Sequence, residues 1–548
     1  MNEKYDAIVI GAGHNGLVCA TYLARAGWDP LVLERNDAVG GAVRSAELTQ
    51  DGFVHDCYAT NQNLFLGSPV WEELQDELAA HGLSFAHSAK PFCNVFPDGS
   101  ALRVYQDAEE TLTELQEHDP GDAAGWQELY EKFGRFERTL LPLYGTPLSS
   151  TSAAKQLLSA TRTLGVQGLL DLLQIVGSST RELGDTYFSS EEAKALVAPW
   201  GMHLDFGPDV SGGAMFPFLE TFTDMEVGIS ITEGGASNLV EALAGVCEDY
   251  GGEVRTNAEV ETVDVANGRA TGVELASGER FRAREAVVAN LTPTVLFEDL
   301  VDDSHVPERV AAQVEDYSYG PGTMMVHLAL SELPDWEAGD ELDEFAYVHV
   351  GPYVDDMAET YTDAVNGLLP ESPLLVVGQT TAIDPTRTPG DEHVLWVQVR
   401  ALPSEIEGDA AGEIDATAWD DAADPYADRV LAKLEEYAPG IEDAVLDREV
   451  FTPADLERSN PNLVGGDSVA GSHHLRQNFL WRPFADWQNY ETPLEDLYMV
   501  GAATWPGAGV NALSGYLAAQ SLTAEETTVD RLKSRALSLA HSRLGTQS

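Results

Sequence analysis

A glycine-rich turn near the N-terminus constrains this chain more than any other feature. It reads GAGHNG over residues 11–16 and lies between an apolar run at 5–10 and an apolar segment that continues to residue 26. The first run is typical of a buried parallel strand and the second of a helix. Glycines at this spacing permit a tight turn, close approach of the backbone to a pyrophosphate, and close packing of helix on sheet. The pattern therefore predicts a dinucleotide bound at the helix N-terminus.

An acidic residue supports the same interpretation. A second apolar run, at 30–33, is followed directly by Glu34, which lies 23 residues after Gly11. A carboxylate at the end of this strand accepts hydrogen bonds from the adenosine ribose and repels a 2′-phosphate. We therefore expect Glu34 and the adjacent Arg35 at the adenosine end of the dinucleotide.

The rest of the chain divides into blocks of different character. At 548 residues it is too long for one ordinary core, so two domains are expected. Residues 66–225 read as mainly helical, and residues 300–490 mix strands, at 323–330 and 393–399, with acidic loops. The acidic, alanine-rich stretch at 405–428 is predicted to be a solvated surface insertion.

Further motifs resemble one protein family. The stretch DAVGGAVRS, with Gly40, Gly41 and Arg44, resembles the GGxxR extension of flavin amine oxidases and phytoene desaturases. Two glycines allow close backbone approach, and an arginine supplies charge-assisted hydrogen bonds to phosphate. The EGG turn at 233–235 and the C-terminal GAATWPGAGVNALSGYLAAQ also resemble FAD-binding segments of that family. We therefore identify the chain as a member of the flavin amine oxidase superfamily, similar to its phytoene-desaturase branch.

The resemblance implies an α/β fold, with a Rossmann-like FAD-binding domain interleaved with a mixed α+β substrate domain. The FAD-binding domain would comprise 1–65, 226–299 and 491–530, and the substrate domain 66–225 and 300–490. Val260 would contact the adenine through its backbone, and the helix N-terminus around Gly509 would face the pyrimidine side of the flavin. The full set of residues expected to bind FAD is Gly11, Gly13, Gly16, Glu34, Arg35, Gly40, Gly41, Arg44, Thr60, Val260, Asn290, Gly501, Ala502, Gly509 and Val510.

Finer similarity concerns the substrate. The stretch NFLWRPFADWQNYETPLEDLYMVGAATWPGAG resembles phytoene-dehydrogenase-like proteins, most of all the group named pyridine nucleotide-disulfide oxidoreductase domain-containing protein 2. Trp505 replaces a histidine common in that pattern, and Ala508 replaces a glycine. The resemblance implies desaturation or dehydrogenation of a carotenoid or other isoprenoid-like lipid by hydride transfer to flavin N5. An amine oxidase, a carotene isomerase and a non-catalytic flavin-binding protein remain alternatives.

Candidates for a catalytic role are few, and each has a structural interpretation beside the functional one. Polar candidates near apolar neighbours are His203, Asp205, His473, His474 and Arg482. Trp505 is predicted to lie in the turn beside the flavin, where it would touch both ring and substrate. The aromatic residues Trp481, Phe484, Trp487 and Tyr490 would line a tunnel for an apolar substrate, although core packing is the commoner role of such residues. No spacing of histidines, cysteines and acids suggests a metal site.

Charge and composition limit the partners. Asp and Glu total 91 against 31 Lys and Arg, which gives a formal net charge of -60. Such a surface repels itself unless salt screens it, so we expect the cytoplasm of a salt-accumulating halophile. The absence of a basic stripe argues against nucleic acid. The four cysteines, Cys19, Cys57, Cys93 and Cys247, form no CxxC pair, which suits a reducing compartment.

Membrane signals are also absent from the sequence. Residues 1–6 lack the pattern of a signal peptide, and no run of 18 apolar residues predicts a transmembrane helix. Contact with a membrane surface stays open, since the expected substrate is apolar. The sequence assigns neither an electron acceptor nor an oligomeric state.

Overall fold

The computed structural model describes residues 3–487 and 490–524. Residues 525–530, the end of the predicted FAD-binding domain, therefore lie outside the described part of the chain. The strands of the described part are β1 (Glu3–Ile10), β2 (Pro30–Leu33), β3 (Ser45–Glu47), β4 (Val54–Asp56), β5 (Phe85–Ser88), β6 (Phe92–Val95), β7 (Ala101–Val104), β8 (Ile229–Thr232), β9 (Glu253–Arg255), β10 (Val260–Ala266), β11 (Arg269–Leu275), β12 (Arg280–Ala289), β13 (Gly322–Leu330), β14 (Tyr347–Val350), β15 (Leu368–Leu369), β16 (Leu374–Gly378), β17 (His393–Leu402), β18 (Gly408–Asp409), β19 (Val445–Phe451) and β20 (Leu497–Met499).

The α-helices alternate with these strands, and several short 3₁₀ turns accompany them. They are α1 (His14–Arg25), α2 (Asn63–Leu66), α3 (Pro69–Ala80), α4 (Ala108–His118), α5 (Pro120–Thr139), α6 (Thr151–Gly177), α7 (Thr180–Tyr187), α8 (Glu191–Val197), α9 (Pro199–Met202), α10 (Met215–Val227), α11 (Ser237–Asp249), α12 (Glu308–Glu315), α13 (Val354–Val365), α14 (Thr380–Ile383), α15 (Trp419–Tyr437), α16 (Ile441–Ala444), α17 (Pro453–Ser459) and α18 (Leu513–Thr523).

The first sheet has the topology of a dinucleotide-binding domain. Its strand order is β10-β11-β12-β1-β2-β9, and β20 also pairs with β12. The strands β20, β12, β1, β2 and β9 run parallel, with Ile10 level with Ala289 on one side and with Leu33 on the other. On the edge of β12 that faces away from β1, the first half of the strand pairs antiparallel with β11, and its last residues pair parallel with β20. The α/β, Rossmann-like fold expected from the sequence is thereby confirmed.

Helices α1, α11 and α18 cover one face of this sheet. Buried leucines, valines and alanines of all three helices share one hydrophobic cluster with Ala7 and Val9 of β1. At the crossing of α1 and α18, a Cβ on Gly515 would lie 2.0 Å from the carbonyl oxygen of Asn15, so only glycine allows this close approach. The N-terminal and C-terminal motifs are therefore packed directly on each other, although some 500 residues separate them in sequence.

The second sheet lies in the remaining part of the chain, in the order β19-β13-β17-β16-β14-β6-β7. It contains the two strands predicted at 323–330 and 393–399, which the structure confirms within β13 and β17. The block at 66–225 is mainly helical, as expected, but it also contributes β6 and β7 to this sheet. These strands are four residues long, too short for a clear periodic signal.

The predicted surface insertion at 405–428 is partly wrong. Its second half forms the start of α15, where Trp419 and Tyr426 are buried against the second sheet. The acidic residues that alternate with the apolar ones in this segment made it read as polar, although the apolar residues form one buried face of the helix. The division of the chain into domains at residues 65, 225, 299 and 490 stays a prediction. In the described residues, no helix is both long enough and apolar enough to cross a membrane.

Candidate cofactor and substrate site

A cleft of about 270 Å³ opens at the carboxyl ends of β1, β2, β12 and β20. Ligands of open parallel sheets bind at this edge, because the loops and helix N-termini meet there. Ten of the fifteen residues expected to bind FAD line it, namely Gly11, Gly13, Glu34, Arg35, Gly40, Gly41, Val260, Asn290, Gly501 and Ala502. Two residues from the second half of the chain, which the sequence analysis did not predict, line the same cleft: Asn460 and Asn462.

The glycines of the cleft let the backbone approach one side-chain amide more closely than any other residue would. A Cβ on Gly13 would lie 2.8 Å from Nδ2 of Asn290, and one on Gly501 would lie 2.6 Å from its Oδ1. Gly16 acts within the turn itself, since its Cβ would lie 2.3 Å from the carbonyl oxygen of Gly11. No side chain caps α1, so the N–H groups of its first turn are free for phosphate oxygens.

The carboxylate of Glu34 is held in a fixed position. One oxygen accepts a hydrogen bond from Ala12 N at 2.9 Å and the other from Asn36 N at 3.0 Å. The side chain is buried at the end of β2, and each oxygen has a further lone pair for a ribose hydroxyl. Arg35 points to the surface, where its guanidinium lies 3.5 Å from Glu259.

The other five predicted cofactor residues do not line this cleft. Besides Gly16, they are Arg44, Thr60, Gly509 and Val510. Within the described residues, the Arg44 guanidinium has no ion pair, and the buried Thr60 hydroxyl has no hydrogen-bond partner. Buried polar groups cost about 1–3 kcal/mol when unsatisfied. Both groups therefore suit contact with a bound polar ligand.

A second, mainly apolar cavity of about 530 Å³ lies beyond the turn that follows β20. Its walls come from three parts of the chain: the helical block, the loop at 473–479, and the C-terminal turn through Pro506 and Ala508. Its apolar lining includes Leu141, Tyr144, Phe206, Phe216, Leu219 and Phe479. This is the arrangement that a buried apolar substrate requires.

His473 lines this cavity, but its ring is hydrogen-bonded to the C-terminal turn. Its Nε2 accepts a hydrogen bond from the Ala508 N–H at 3.0 Å, which places the ring proton on Nδ1. Burial, and then the charge of Arg482, hold the pKa of His473 well below its ordinary value. The ring is therefore neutral, and its one acceptor nitrogen is already used.

Arg482 has a similar structural role. The buried guanidinium donates to the carbonyl oxygens of Ala502 at 2.6 Å and 2.8 Å and of Ser472 at 2.9 Å, and also to Gly471. These bonds tie the loop before the cavity to the end of β20. Arg482 does not line the cavity, so as a catalytic candidate it is not supported by its position.

The remaining polar candidates lie behind the cavity wall. His203 is buried against Trp200, with ring centroids 4.8 Å apart, and burial holds its pKa well below the ordinary value. His474 contacts Asp205, whose main-chain φ is +71° and whose pKa burial raises to about 6. Neither histidine lines the cavity.

Trp505 is buried, as expected for a residue inside the turn. Its Nε1 donates to the carbonyl oxygen of Thr146 at 3.2 Å, and its ring packs on Tyr144 and Phe479. It contacts the cavity wall but is not part of the lining. The four aromatic residues predicted to line a tunnel do not line this cavity. Trp481 is half exposed, Trp487 and Tyr490 line a separate small pocket, and Phe484 packs on Tyr317 and Trp487.

Three polar residues near the cavity escaped sequence reasoning. Glu220 lies on its wall, Asp224 is buried one helical turn later, and Gln62 is buried with neither amide atom hydrogen-bonded to a described residue. No motif marks them, because their environment depends on segments more than 150 residues apart. Among the residues that the structure describes, no three ligand-type side chains form a metal site.

Comparison with known proteins gives a consistent result. A family model described as flavin containing amine oxidoreductase matches residues 16–522. The chain is 28% identical to pyridine nucleotide-disulfide oxidoreductase domain-containing protein 2 of Rattus norvegicus, over 95% of this chain and 93% of that protein. It is 26% identical to a limonene dehydrogenase subunit of Castellaniella defragrans, over 95% of this chain and 94% of that protein.

A third relative is a phytoene desaturase (neurosporene-forming) of Cereibacter sphaeroides, 27% identical over 93% of this chain and 92% of that protein. Among solved structures, an oxidoreductase from Methanosarcina mazei matches with a TM-score of 0.60 and 16% identity. That match covers 95% of this chain and 99% of the other. At this identity, the structural likeness shows the fold alone.

Proposed function

This chain belongs to the family of flavin-containing amine oxidoreductases, and on that basis we propose that it dehydrogenates or desaturates an isoprenoid or other lipid-like substrate. The cofactor is FAD, and the protein is an oxidoreductase. FAD accepts a hydride from a substrate C–H bond, which is chemistry that no protein side chain supplies. The protein must therefore bind both molecules, orient them and exclude water.

We assign the cofactor to the cleft at the end of the first sheet. Gly11 and Gly13 leave the space in which the pyrophosphate would lie, and the free N–H groups of α1 would bind its oxygens. Glu34 would bind the adenosine ribose. Arg44 does not line the cleft itself, but it follows Gly41 and Ala42, which do, and it has no ion pair within the described residues. It would supply positive charge to the phosphates. A dinucleotide fits these groups better than a mononucleotide, because the cleft offers groups for the adenosine ribose as well as for the pyrophosphate.

The observation that carries the substrate proposal is the apolar cavity bounded by Pro506 and Ala508 of the C-terminal turn. Enclosing an apolar molecule there stabilises the complex by about 25 cal/mol per Å² of apolar surface buried. Two relatives are named for terpenoid substrates, a limonene dehydrogenase and a phytoene desaturase, and both names agree with an apolar ligand.

The direct test is anaerobic reduction of the holoprotein by candidate substrates. Limonene, farnesene and phytoene would each be mixed with the oxidised protein in high salt, and bleaching of the flavin absorption would be followed. We expect at least one of these hydrocarbons to reduce the flavin, and Phe206→Asp, which places a charge in the cavity, to prevent it. Reduction by amines with no response to any hydrocarbon would contradict the proposal.

We also propose contact with a membrane surface through α6. The backbone of α6 breaks at Gly165, where φ is +68°. Leu157 and Leu158 before the break, and Val166, Leu170 and Leu173 after it, are each between 47% and 71% exposed. Residues 151–170 of this helix belong to the longest stretch without an acidic residue, 138–170, in a chain with 91 of them. Exposed apolar patches of this kind mark interaction sites, and the preceding residues 141–145 form part of the cavity wall. An apolar substrate would then pass from lipid to cavity without crossing water.

Vesicle binding tests this contact. Phosphatidylcholine vesicles in 2 M KCl would be sedimented with the holoprotein, because at that ionic strength the charge of the chain is screened. We expect cosedimentation of the wild type and loss of it in the double variant Leu170→Ser and Leu173→Ser. Equal binding of both proteins would argue against α6 as the contact.

For a highly acidic protein of this kind, we propose the cytoplasm of a salt-accumulating cell as its compartment.

A further inference from the structure

One wall of the apolar cavity carries a carboxyl group without a partner. Glu220 lies on α10 and lines the cavity beside Leu219 and Phe216. Burial alone raises its pKa, to about 7, and no described residue donates a hydrogen bond to its carboxylate. A buried carboxyl group with no hydrogen-bond partner on a mainly apolar wall is costly unless a ligand satisfies it.

A second acid strengthens this feature. Asp224 lies one helical turn after Glu220, on the same face of α10, and is fully buried. It accepts a hydrogen bond from Asn63 Nδ2 at 2.8 Å. The same Asn63 amide also donates to Gly228 O and accepts from Ser230 N, so both of its N–H groups are already used. Asp224 Oδ2 has no hydrogen-bond partner among the described residues, but Asp224 does not line the cavity, so Glu220 is the member of the pair that is available to a ligand there.

The charges around this pair are negative or neutral. Burial, and then the charge of Glu220, raise the pKa of Asp224 well above its ordinary value, and no Lys or Arg opposes the shift. Glu137 of α5 and the neutral His473 also line the cavity, and the buried Tyr347 of β14 lies near both acids. Among the described residues, those that line the cavity include acceptor groups but no Lys or Arg to neutralise them.

The size of the cavity limits the ligand. At about 30 Å³ for the share of one water in the liquid, 530 Å³ corresponds to about 18 water-sized groups. A molecule of roughly that number of carbon atoms would fill it, whereas a much longer chain would extend outside.

We propose that Glu220 determines specificity by accepting a hydrogen bond from a hydroxyl or amino head group on an otherwise apolar substrate. The inference rests on the proposed function, because it takes the apolar cavity as the substrate site. It adds to that function a polar head group, which neither hydrocarbon substrate named for the relatives would provide. Hydrogen bonds to charged acceptors change affinity by on the order of 10-fold or more.

Three probes with the same carbon chain test the inference: farnesol, farnesylamine and the hydrocarbon farnesene. Their dissociation constants for the FAD-loaded protein would be measured by quenching of flavin or tryptophan fluorescence in 2 M KCl. We expect farnesol or farnesylamine to bind at least 10-fold more tightly than farnesene. In Glu220→Leu, that preference should disappear while farnesene binds as well as before or better.

Two further variants separate the alternatives. Glu220→Gln keeps the size and a carbonyl acceptor, so it should retain farnesol binding and lose any preference for the ammonium of farnesylamine. Glu226→Gln, on the same helix but hydrogen-bonded to Tyr130 outside the cavity, should behave as the wild type. This pair also serves if Glu220→Leu does not fold.

Equal binding of the three probes by the wild type, or a head-group preference that survives in Glu220→Leu, would overturn the role of Glu220. Binding of farnesene without a head-group preference would leave the proposed function intact. If no probe binds and no hydrocarbon reduces the flavin, the proposed function itself fails.

Discussion

Single glycines define the cofactor cleft, and two of them can be distinguished by what surrounds them. Around Gly13, the nearest atom to an added Cβ is the movable end of the Asn290 side chain, with the next protein atoms 3.9 Å away. Around Gly16, the nearest atom is the backbone oxygen of Gly11, at 2.3 Å. The first position therefore has space that a ligand can use, and the second has none.

Gly13→Val should fold but lose FAD. The valine side chain would fill the space assigned to the pyrophosphate, while Asn290 can turn aside. Gly16→Val should instead destabilise the whole domain, because its Cβ meets backbone. The ratio of flavin to protein, measured by absorption together with the melting temperature, separates the two cases. A folded Gly13→Val protein with full flavin content would show that the phosphates lie elsewhere.

A second prediction at this scale concerns the protonation of Glu220. Its pKa is about 7 in the folded protein against an ordinary value of 4.5, so the folded state binds the proton more tightly than the unfolded chain. The stability contributed by Glu220 therefore falls as pH rises from about 4.5 through 7.

Glu220→Gln resembles the protonated acid, so it should match the wild type near pH 4.5 and be more stable above pH 7, by about 3 kcal/mol at most. Denaturant unfolding at fixed high salt, at pH 5 and pH 8, measures this difference. A difference that is the same at both pH values would contradict the raised pKa. Glu226→Gln provides the matched control on the same helix.

Among secondary-structure elements, the turn between β20 and α18 joins the two halves of the site. Arg482 and His473 hold it through hydrogen bonds to Ala502 O and from Ala508 N. Trp505 fixes it to the helical block through Thr146, at the start of the segment that leads into α6. The same turn thus lines the cleft through Gly501 and Ala502 and the apolar cavity through Pro506 and Ala508.

Trp505→Ala should leave FAD bound but lower the free energy of unfolding by about 3–5 kcal/mol, because a large buried ring is removed. Flavin fluorescence and turnover should change as the turn loosens. Trp505→Phe keeps the packing on Tyr144 and Phe479 and loses only the bond to Thr146 O, so it should cost about 1 kcal/mol. If Trp505→Ala is as stable as the wild type, the ring does not hold the turn.

The elements near the N-terminus were predictable because their signals are local. The motif at 11–16 and the residue Glu34 each depend on neighbours within one βαβ unit. The second sheet was less predictable, because β6 pairs with β14 across some 250 residues of sequence. Glu220 and the hydrogen bond of His473 could not be predicted, because an acid or a histidine carries no sequence signal of what packs against it. Family resemblance supplied the cofactor, and the structure supplied the cavity.

At the scale of the whole molecule, acidic residues outnumber basic ones so strongly that single arginines pair with two carboxylates. Arg181 pairs with both Asp209 and Asp355, and Arg448 with both Asp424 and Asp428. Exposed pairs of this kind contribute little each, typically below about 1 kcal/mol. The remaining negative charge repels itself, with a Debye length of about 10 Å at 0.1 M salt and about 3 Å at 1 M.

The melting temperature should therefore rise by several degrees between 0.1 M and 2 M KCl. Sucrose strengthens apolar burial without screening charge, so sucrose at equal osmolarity should give a smaller increase. Thermal unfolding followed by circular dichroism compares the two series. A melting temperature that does not respond to KCl would rule out adaptation to high salt.

The central claim is that the cleft at the end of the first sheet binds FAD. Its most direct test is the cofactor content of the protein purified in high salt, released by heat and identified by mass spectrometry together with the flavin absorption spectrum. We predict a yellow protein that releases FAD in a ratio approaching one per chain. A colourless protein that takes up no FAD when the cofactor is added would contradict the account.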